Sequence, residues 1–243
     1  MKPFLLLSTR ADTAAAVTEY EAFCRFGGLD RDELVQVRLE RTEMPPLDLD
    51  DWSGVVVGGS PFCTSDLQDD KSDVQLRVER ELAALLDEVV DRDMPFLGAC
   101  YGVGTLGVHQ GGVVDRTYGE PVGAVSVTLT AEGCSDPVFG ALPPVFDAFV
   151  GHKEALTEPP PHAVVLASSP TCPVQAFRVR ENLYATQFHP ELDVDGIVER
   201  VRVYQDDGYF PAADLDRVVT ALRTSHVVHP PELLRSFVRR YAR

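Results

Sequence analysis

Basic side chains are in short supply. Lys and Arg total 22 against 38 Asp and Glu, a formal charge of −16 over 243 residues. That excess repels phosphate backbones and anionic lipid, which argues against nucleic acid or a membrane surface as a partner. A metal-binding pattern is also missing. The five cysteines (Cys24, Cys63, Cys100, Cys134 and Cys172) are odd in number and scattered, with no CxxC or Cys/His spacing. We therefore expect reduced thiols in a cytoplasmic protein, with no metal and no cofactor. The N-terminus MKPFLLLSTR has a four-residue apolar run, shorter than the ~7–15 residues of a signal-peptide core. The longest stretch without Asp, Glu, Lys or Arg, Met94 to Val114, is broken by glycines at 98, 102, 104, 107, 111 and 112, so it reads as buried chain and not as a membrane span. No repeat, low-complexity tract or linker divides the sequence.

With 44% hydrophobic residues, there is enough apolar surface for a substantial core. Short apolar runs alternate with helical patterns through the first half: Phe4–Leu7, a helix from about Asp12, Leu34–Leu39 and Gly54–Val57. A capping box at Ser72 and Gln75 opens a helix to Asp91, with apolar residues at Val74, Val78, Leu82, Leu85, Leu86 and Val89. A buried strand, Phe96–Ala99, follows. The middle of the chain is crowded with strands (Val125–Leu129, Val145–Val150, Val164–Ala167, Val174–Val179 and Leu183–Phe188), which implies antiparallel pairing. From Gly196 the pattern is helical, divided by Pro211 and Pro230-Pro231 into three helices. The expectation is a three-layer α/β/α sandwich with a mostly parallel, doubly wound (flavodoxin-like) sheet, additional antiparallel strands and a C-terminal helical extension. The main domain covers residues 1–195, and the extension, 196–243, packs on it.

Three segments carry chemistry. Gly98-Ala99-Cys100-Tyr101-Gly102, between a strand and a short helix, has the context of a nucleophile elbow with cysteine in place of serine. Its thiol would lie at a helix N-terminus, where partial positive charge favours the thiolate. A buried cysteine in a glycine-rich turn fits the same pattern. Thr186-Gln187-Phe188-His189-Pro190-Glu191 ends the last strand, and residues two apart in extended chain point the same way. His189 can then stand between Glu191 and a thiol, as in a catalytic relay. A surface His and Glu in a proline turn fit as well. Gly54-Val-Val-Val-Gly-Gly-Ser-Pro61 ends a buried strand in a glycine turn, where the N–H groups of Gly58 and Gly59, with that of Tyr101, can hold an oxyanion.

Taken in this order, the glycine turn, the G-x-C-x-G elbow and the Q-F-H-P-E segment resemble the class I glutamine amidotransferase domain. The stretch from Gly119 to Glu191 is most similar to stand-alone proteins related to the amidotransferase half of GMP synthetase. The resemblance covers about residues 1–195. It implies a Cys100–His189–Glu191 triad, with Gly58, Gly59 and Tyr101 at oxyanion and substrate-cradling positions. Gly151-His152 falls on a glycine-histidine motif, with His152 structural or pocket-lining. Many members carry glutamine four residues after the nucleophile, where it helps hold the substrate. This chain has Gly104 there, and Val103 where histidine is frequent. Gln110 lies nearly two helical turns further on. Cys63, close after the glycine turn, is a candidate to face the pocket; Cys24, Cys134 and Cys172 read as core or surface residues. His109, His162, His226 and His229 read as structural or solvent-exposed.

The resemblance implies an enzyme that releases ammonia from the side chain of glutamine through a γ-glutamyl thioester on Cys100. A γ-glutamyl peptidase or hydrolase using the same triad is the first alternative, and a silent binding or regulatory module the second. Only 52 residues follow Glu191 (243 minus 191), too few for an ATP-dependent synthetase domain. Any ammonia acceptor is expected on a separate synthetase chain.

Overall fold

The structure, a computed structural model, describes all 243 residues, Met1–Arg243. Its elements run β1 (Phe4–Ser8), α1 (Thr13–Gly27), β2 (Leu34–Arg38), β3 (Gly54–Val57), α2 (Asp73–Asp91), β4 (Phe96–Ala99), α3 (Tyr101–His109), β5 (Val113–Asp115), β6 (Glu120–Leu129), α4 (Ala131–Ser135), β7 (Val145–His152), β8 (Ala155–Glu158), β9 (Val164–Ser168), β10 (Ala176–Val179), β11 (Leu183–Thr186), α5 (Val194–Val203), α6 (Leu215–Arg223) and α7 (Pro230–Tyr241). Nine strands form one mixed sheet in the order β2-β1-β3-β4-β11-β10-β9-β6-β7. The first five are mutually parallel, in the doubly wound order expected; β10, β9, β6 and β7 pair antiparallel.

The parallel strands are apolar on both faces because helices cover both. Phe4 and Leu6 face one side, with Val56, Leu97, Phe23 of α1 and Phe237 of α7. Leu5 and Leu7 face the other, with Val55, Val57, Val78 and Leu82 of α2 and Leu106 of α3. Asp12 accepts from the Ala15 N–H and Ser72 from the Gln75 N–H, as the sequence suggests, but the Gln75 side chain does not close the capping box and donates instead to Cys63 O and Glu79. Of the last three helices, α7 sends Leu233, Leu234 and Phe237 into the main core, while α5 and α6 pack over the antiparallel wing against Phe149. The last sheet strand stops at Thr186, two residues earlier than its apolar pattern suggests, because Phe188 lies beyond the ladder and Thr186 Oγ1 donates to its carbonyl. The small β5–β8 sheet and the one-turn helix α4 have no periodicity long enough to be read from sequence. No helix is long and apolar enough to cross a membrane.

Candidate active site

Four neighbouring parallel strands, β1, β3, β4 and β11, deliver their next residues to one end of the sheet, where open α/β sheets bind ligands. From β4 comes Cys100, the single residue between strand and helix. Its backbone sits at φ 54°, ψ −84°, a conformation that costs a side-chain-bearing residue on the order of 1–3 kcal/mol. Two contacts hold it there. Cys100 N–H donates to Thr186 O at 2.7 Å, and the chain doubles back so closely that a Cβ on Gly98 would lie 2.6 Å from the Gly102 Cα.

From β11 come His189 and Glu191, both buried. His189 N–H donates to Phe149 O at 3.0 Å, tying the turn to β7. Glu191 Oε1 accepts from His189 Nδ1 at 2.8 Å and from Arg200 Nη1 of α5 at 2.9 Å. With its Nδ1 so engaged, the imidazole has Nε2 left for proton transfer. Cys100, His189, Arg200 and Arg10 line one cavity together with Val122, Ile197 and Phe210 among others. From β3 comes the glycine turn. Gly58 N–H is already donating to Leu7 O at 3.0 Å, whereas Gly59 N–H donates to no protein acceptor. Tyr101 opens α3, so its N–H lacks an acceptor within the helix. Gly59 and Tyr101, and not Gly58, therefore have the N–H groups available for an oxyanion.

Burial pushes the Cys100 thiol up to about 12, with Arg10 opposing the rise and Glu191 and Glu154 adding to it. Desolvation thus outweighs the helix terminus that favours a thiolate, and the resting sulfur is a thiol. Burial lowers His189 below its ordinary value despite Glu191, and Arg200 and Arg10 lower it further. Burial alone would raise the Glu191 carboxyl, but His189 and Arg200 hold it well below the usual carboxylate range. At neutral pH the pair is thiol and neutral imidazole, backed by a carboxylate. Loss of a thiol proton to His189 then requires only that His189 be unprotonated. Activity should rise with pH through the lowered His189 value, giving an acid limb below about pH 6.5 and no second rise between pH 7 and 9. A kcat/KM profile checks this, and a rise near pH 8–9 would indicate direct thiol ionisation instead.

A family model described as glutamine amidotransferase class-I matches residues 33–195. The chain belongs to that family. It is 28% identical over 148 residues to a GMP synthase [glutamine-hydrolyzing] of Pasteurella multocida and 29% over 146 residues to one of Yersinia pestis, in each case across 58% of this chain. The chain spans 25% of the length of these relatives. A glutamine amidotransferase from Thermotoga maritima superposes with TM-score 0.73 at 20% identity, covering 99% of this chain and 98% of that one. One from Methylobacillus flagellatus gives TM-score 0.73 at 18% identity, over 100% and 96%. These two share the fold.

Of the two readings of His152, structural or pocket-lining, the structure selects the structural one. Both its ring nitrogens are engaged, Nε2 with Glu120 Oε2 at 2.8 Å and Nδ1 with Glu154 O at 2.8 Å, and it does not line the Cys100 cavity. Glu120 also accepts from Gln175, Ser169 and Thr171. His152 therefore belongs to a buried network that fixes the end of β7. Cys63 is buried beyond the glycine turn, and burial pushes its thiol up to about 12. His109 pairs with Asp87, and His162 with Gln110.

The structure accounts for Gly104 directly. A Cβ there would lie 2.6 Å from Thr64 Oγ1 and 3.0 Å from Glu154 Oε1. The Glu154 carboxylate fills the space a longer side chain would need, held by Thr64 N–H at 2.8 Å, Thr64 Oγ1 at 2.9 Å and Ser65 N–H at 2.8 Å. The other buried carboxylates have basic partners: Glu19 has Arg10, Glu120 has His152, Asp136 has Arg178 and Glu191 has His189 and Arg200. Glu154 has none.

Arg10, Glu19, Arg200 and Glu154 were not singled out from the sequence. Glu19 did carry a signal, as an acid among Ala15, Ala16 and Phe23 on the buried face of α1. Arg10 stands just past the end of a buried strand, a position that points at ligands in such sheets. For Arg200 and Glu154 no local pattern exists, since each meets the site through tertiary packing.

Proposed function

We propose that this amidotransferase hydrolyses the side-chain amide of glutamine through a γ-glutamyl thioester. Cys100 Sγ attacks the amide carbon as its proton passes to His189 Nε2. The N–H groups of Gly59 and Tyr101 receive the oxyanion. His189 returns the proton to the amide nitrogen, the C–N bond breaks and ammonia leaves. Water then attacks the thioester, giving a proton to His189. When the C–S bond breaks, the thiol regains that proton and glutamate departs. Glu191 holds the imidazole tautomer and steadies the imidazolium. The observation that carries this assignment is the Glu191–His189 pair set in the same cavity as a cysteine on a strained elbow. The ammonia acceptor in this reading is a synthetase, which the names of the matched GMP synthases support.

Glu154 does not line the cavity but its charge acts on Cys100; in this reading it takes the place of the absent glutamine at 104 and binds the substrate's α-ammonium group, whose charge compensates a buried carboxylate that otherwise has no cation. The test is glutamate or glutarate release from glutamine and from its des-amino analogue, 4-carbamoylbutyrate. Glu154→Gln should lower kcat/KM for glutamine on the order of 10–100-fold, the worth of a buried charge-assisted hydrogen bond, and leave the analogue nearly unchanged. Equal losses on both substrates would exclude the ammonium contact. A second reading keeps the catalyst but gives it γ-glutamyl conjugates. It is favoured by the aliphatic wall of Val122, Val150, Ile197 and Val201 in the cavity that His189 lines, where the leaving amine departs. Faster turnover of a γ-glutamyl dipeptide than of glutamine would select it.

A further inference from the structure

The glycine turn does more than offer an N–H. A Cβ on Gly58 would lie 2.6 Å from Glu19 Oε2, and one on Gly59 would lie 2.5 Å from Arg10 Nη2 and 2.7 Å from His189 Cε1. A buried ion pair occupies the space those side chains would take. Arg10 Nε donates to Glu19 Oε1 at 2.6 Å, and Ser8 Oγ donates to Glu19 Oε2 at 2.9 Å. Arg10 Nη1 reaches only Tyr204 OH, at 3.5 Å, and Nη2 donates to no protein acceptor. The cavity has a second guanidinium, Arg200, but its Nη1 is committed to Glu191 and its Nη2 lies 3.9 Å from Glu19.

We propose that Arg10 is a positioning residue acting through Cys100: its guanidinium, locked by Glu19 against Gly59, is the fixed cation that stabilises negative charge developing on the sulfur. Gln187 Nε2 lies 3.9 Å from Cys100 Sγ as a neutral donor, and among the charged groups acting on the sulfur Arg10 is the cation. Glu191 from the turn after β11 and Glu154 from the turn after β7 disfavour a charged sulfur, while Arg10 from the β1–α1 turn favours it. His189 takes the proton, and Arg200 faces the cavity with Nη1 on Glu191. Tyr209, between α5 and α6, also lines the cavity with a neutral phenol that burial keeps protonated. A guanidinium keeps its charge at every working pH, so the device does not titrate.

The proposal rests on Cys100 being the nucleophile, and a test on thiol chemistry alone keeps its failure distinct from failure of the amide assignment. The full chain is alkylated at Cys100 with iodoacetamide, a neutral electrophile, from pH 6 to 10. Arg10→Gln should react at least tenfold more slowly from pH 8 to 10, since one pKa unit is a factor of ten; release of His189, which Arg10 also lowers, would move only the acid limb. Arg10→Lys keeps the charge and should stay within threefold of the parent. A purely structural Arg10 would change the melting temperature and leave the profile in place. An Arg10→Gln profile that superimposes on the parent overturns the proposal. If Arg10→Gln does not fold, Arg10→Lys decides: reactivity within threefold of the parent supports the proposal, and a greater loss overturns it.

Discussion

Replacing Cys100 with alanine should abolish glutamate release, a loss on the order of 10⁴-fold or more, because removing a nucleophile from a set that acts as a unit costs nearly the whole rate enhancement. Folding should be almost unaffected. Alanine inherits the same strained backbone at φ 54°, so strain is neither added nor removed. Cys100→Gly makes the complementary point. Glycine adopts positive φ without penalty, so this variant should be equally inactive and more stable, by about 1 kcal/mol or more. Thermal melts and a coupled glutamate assay on the three proteins separate strain from chemistry. Residual activity in Cys100→Ala above the 10⁻³ level would mean that another group performs the attack.

A large stability effect is expected at Gly98→Ala. The added methyl would press to 2.6 Å from the Gly102 Cα and 2.9 Å from its carbonyl carbon, and neither backbone atom can swing aside as a side chain does. Relief requires β4 and α3 to separate, in the region that builds the elbow. Overpacking of this kind costs about 3 kcal/mol, or roughly 10 °C in a chain of this size. Activity should fall with it as Cys100 is displaced. Gly102→Ala is the control. Its methyl would meet only Val57, at 3.8 Å, an ordinary contact, and alanine is the better helix former. The sequence suggests that both glycines of G-x-C-x-G serve the turn. In the structure only Gly98 lacks room for a Cβ; Gly102 is the backbone it would strike.

The parallel half of the fold was legible because each strand is a short apolar run bounded by helix signals. Asp12 and Ser72 marked helix starts that the hydrogen bonds reproduce. What could not be read is the traffic between segments far apart in sequence. Gly58 and Gly59 are next to each other and look equivalent, yet Leu7 of another strand takes the N–H of the first and leaves the second free. His152 sits in a motif that suggests a pocket, and Glu120, 32 residues earlier, draws it into a separate network. Gly104 reads as a missing substrate contact until Glu154, brought in by the chain after β7, is found in its space. Sequence pattern located the strand-to-helix turn at Cys100 and the His189–Glu191 pair, while the charges around them come from Arg10, Glu19 and Arg200, whose pairing no local spacing encodes.

The pairing also has a pH signature in stability. Glu191 has its folded value depressed by His189 and Arg200. Its contribution is present above the ordinary carboxylate range of about 4.3 and is lost as pH falls through the lower folded value.

The role of Cys100 as a nucleophile presented to a γ-glutamyl group and activated by His189 is read out by treating the protein with a diazoketone analogue of glutamine and mapping the adduct by mass spectrometry. One adduct, on Cys100, slowed by added glutamine and lost in His189→Ala, is the predicted result. Labelling that falls on Cys63 or another cysteine, or that proceeds at Cys100 unchanged by glutamine and by His189→Ala, would contradict it.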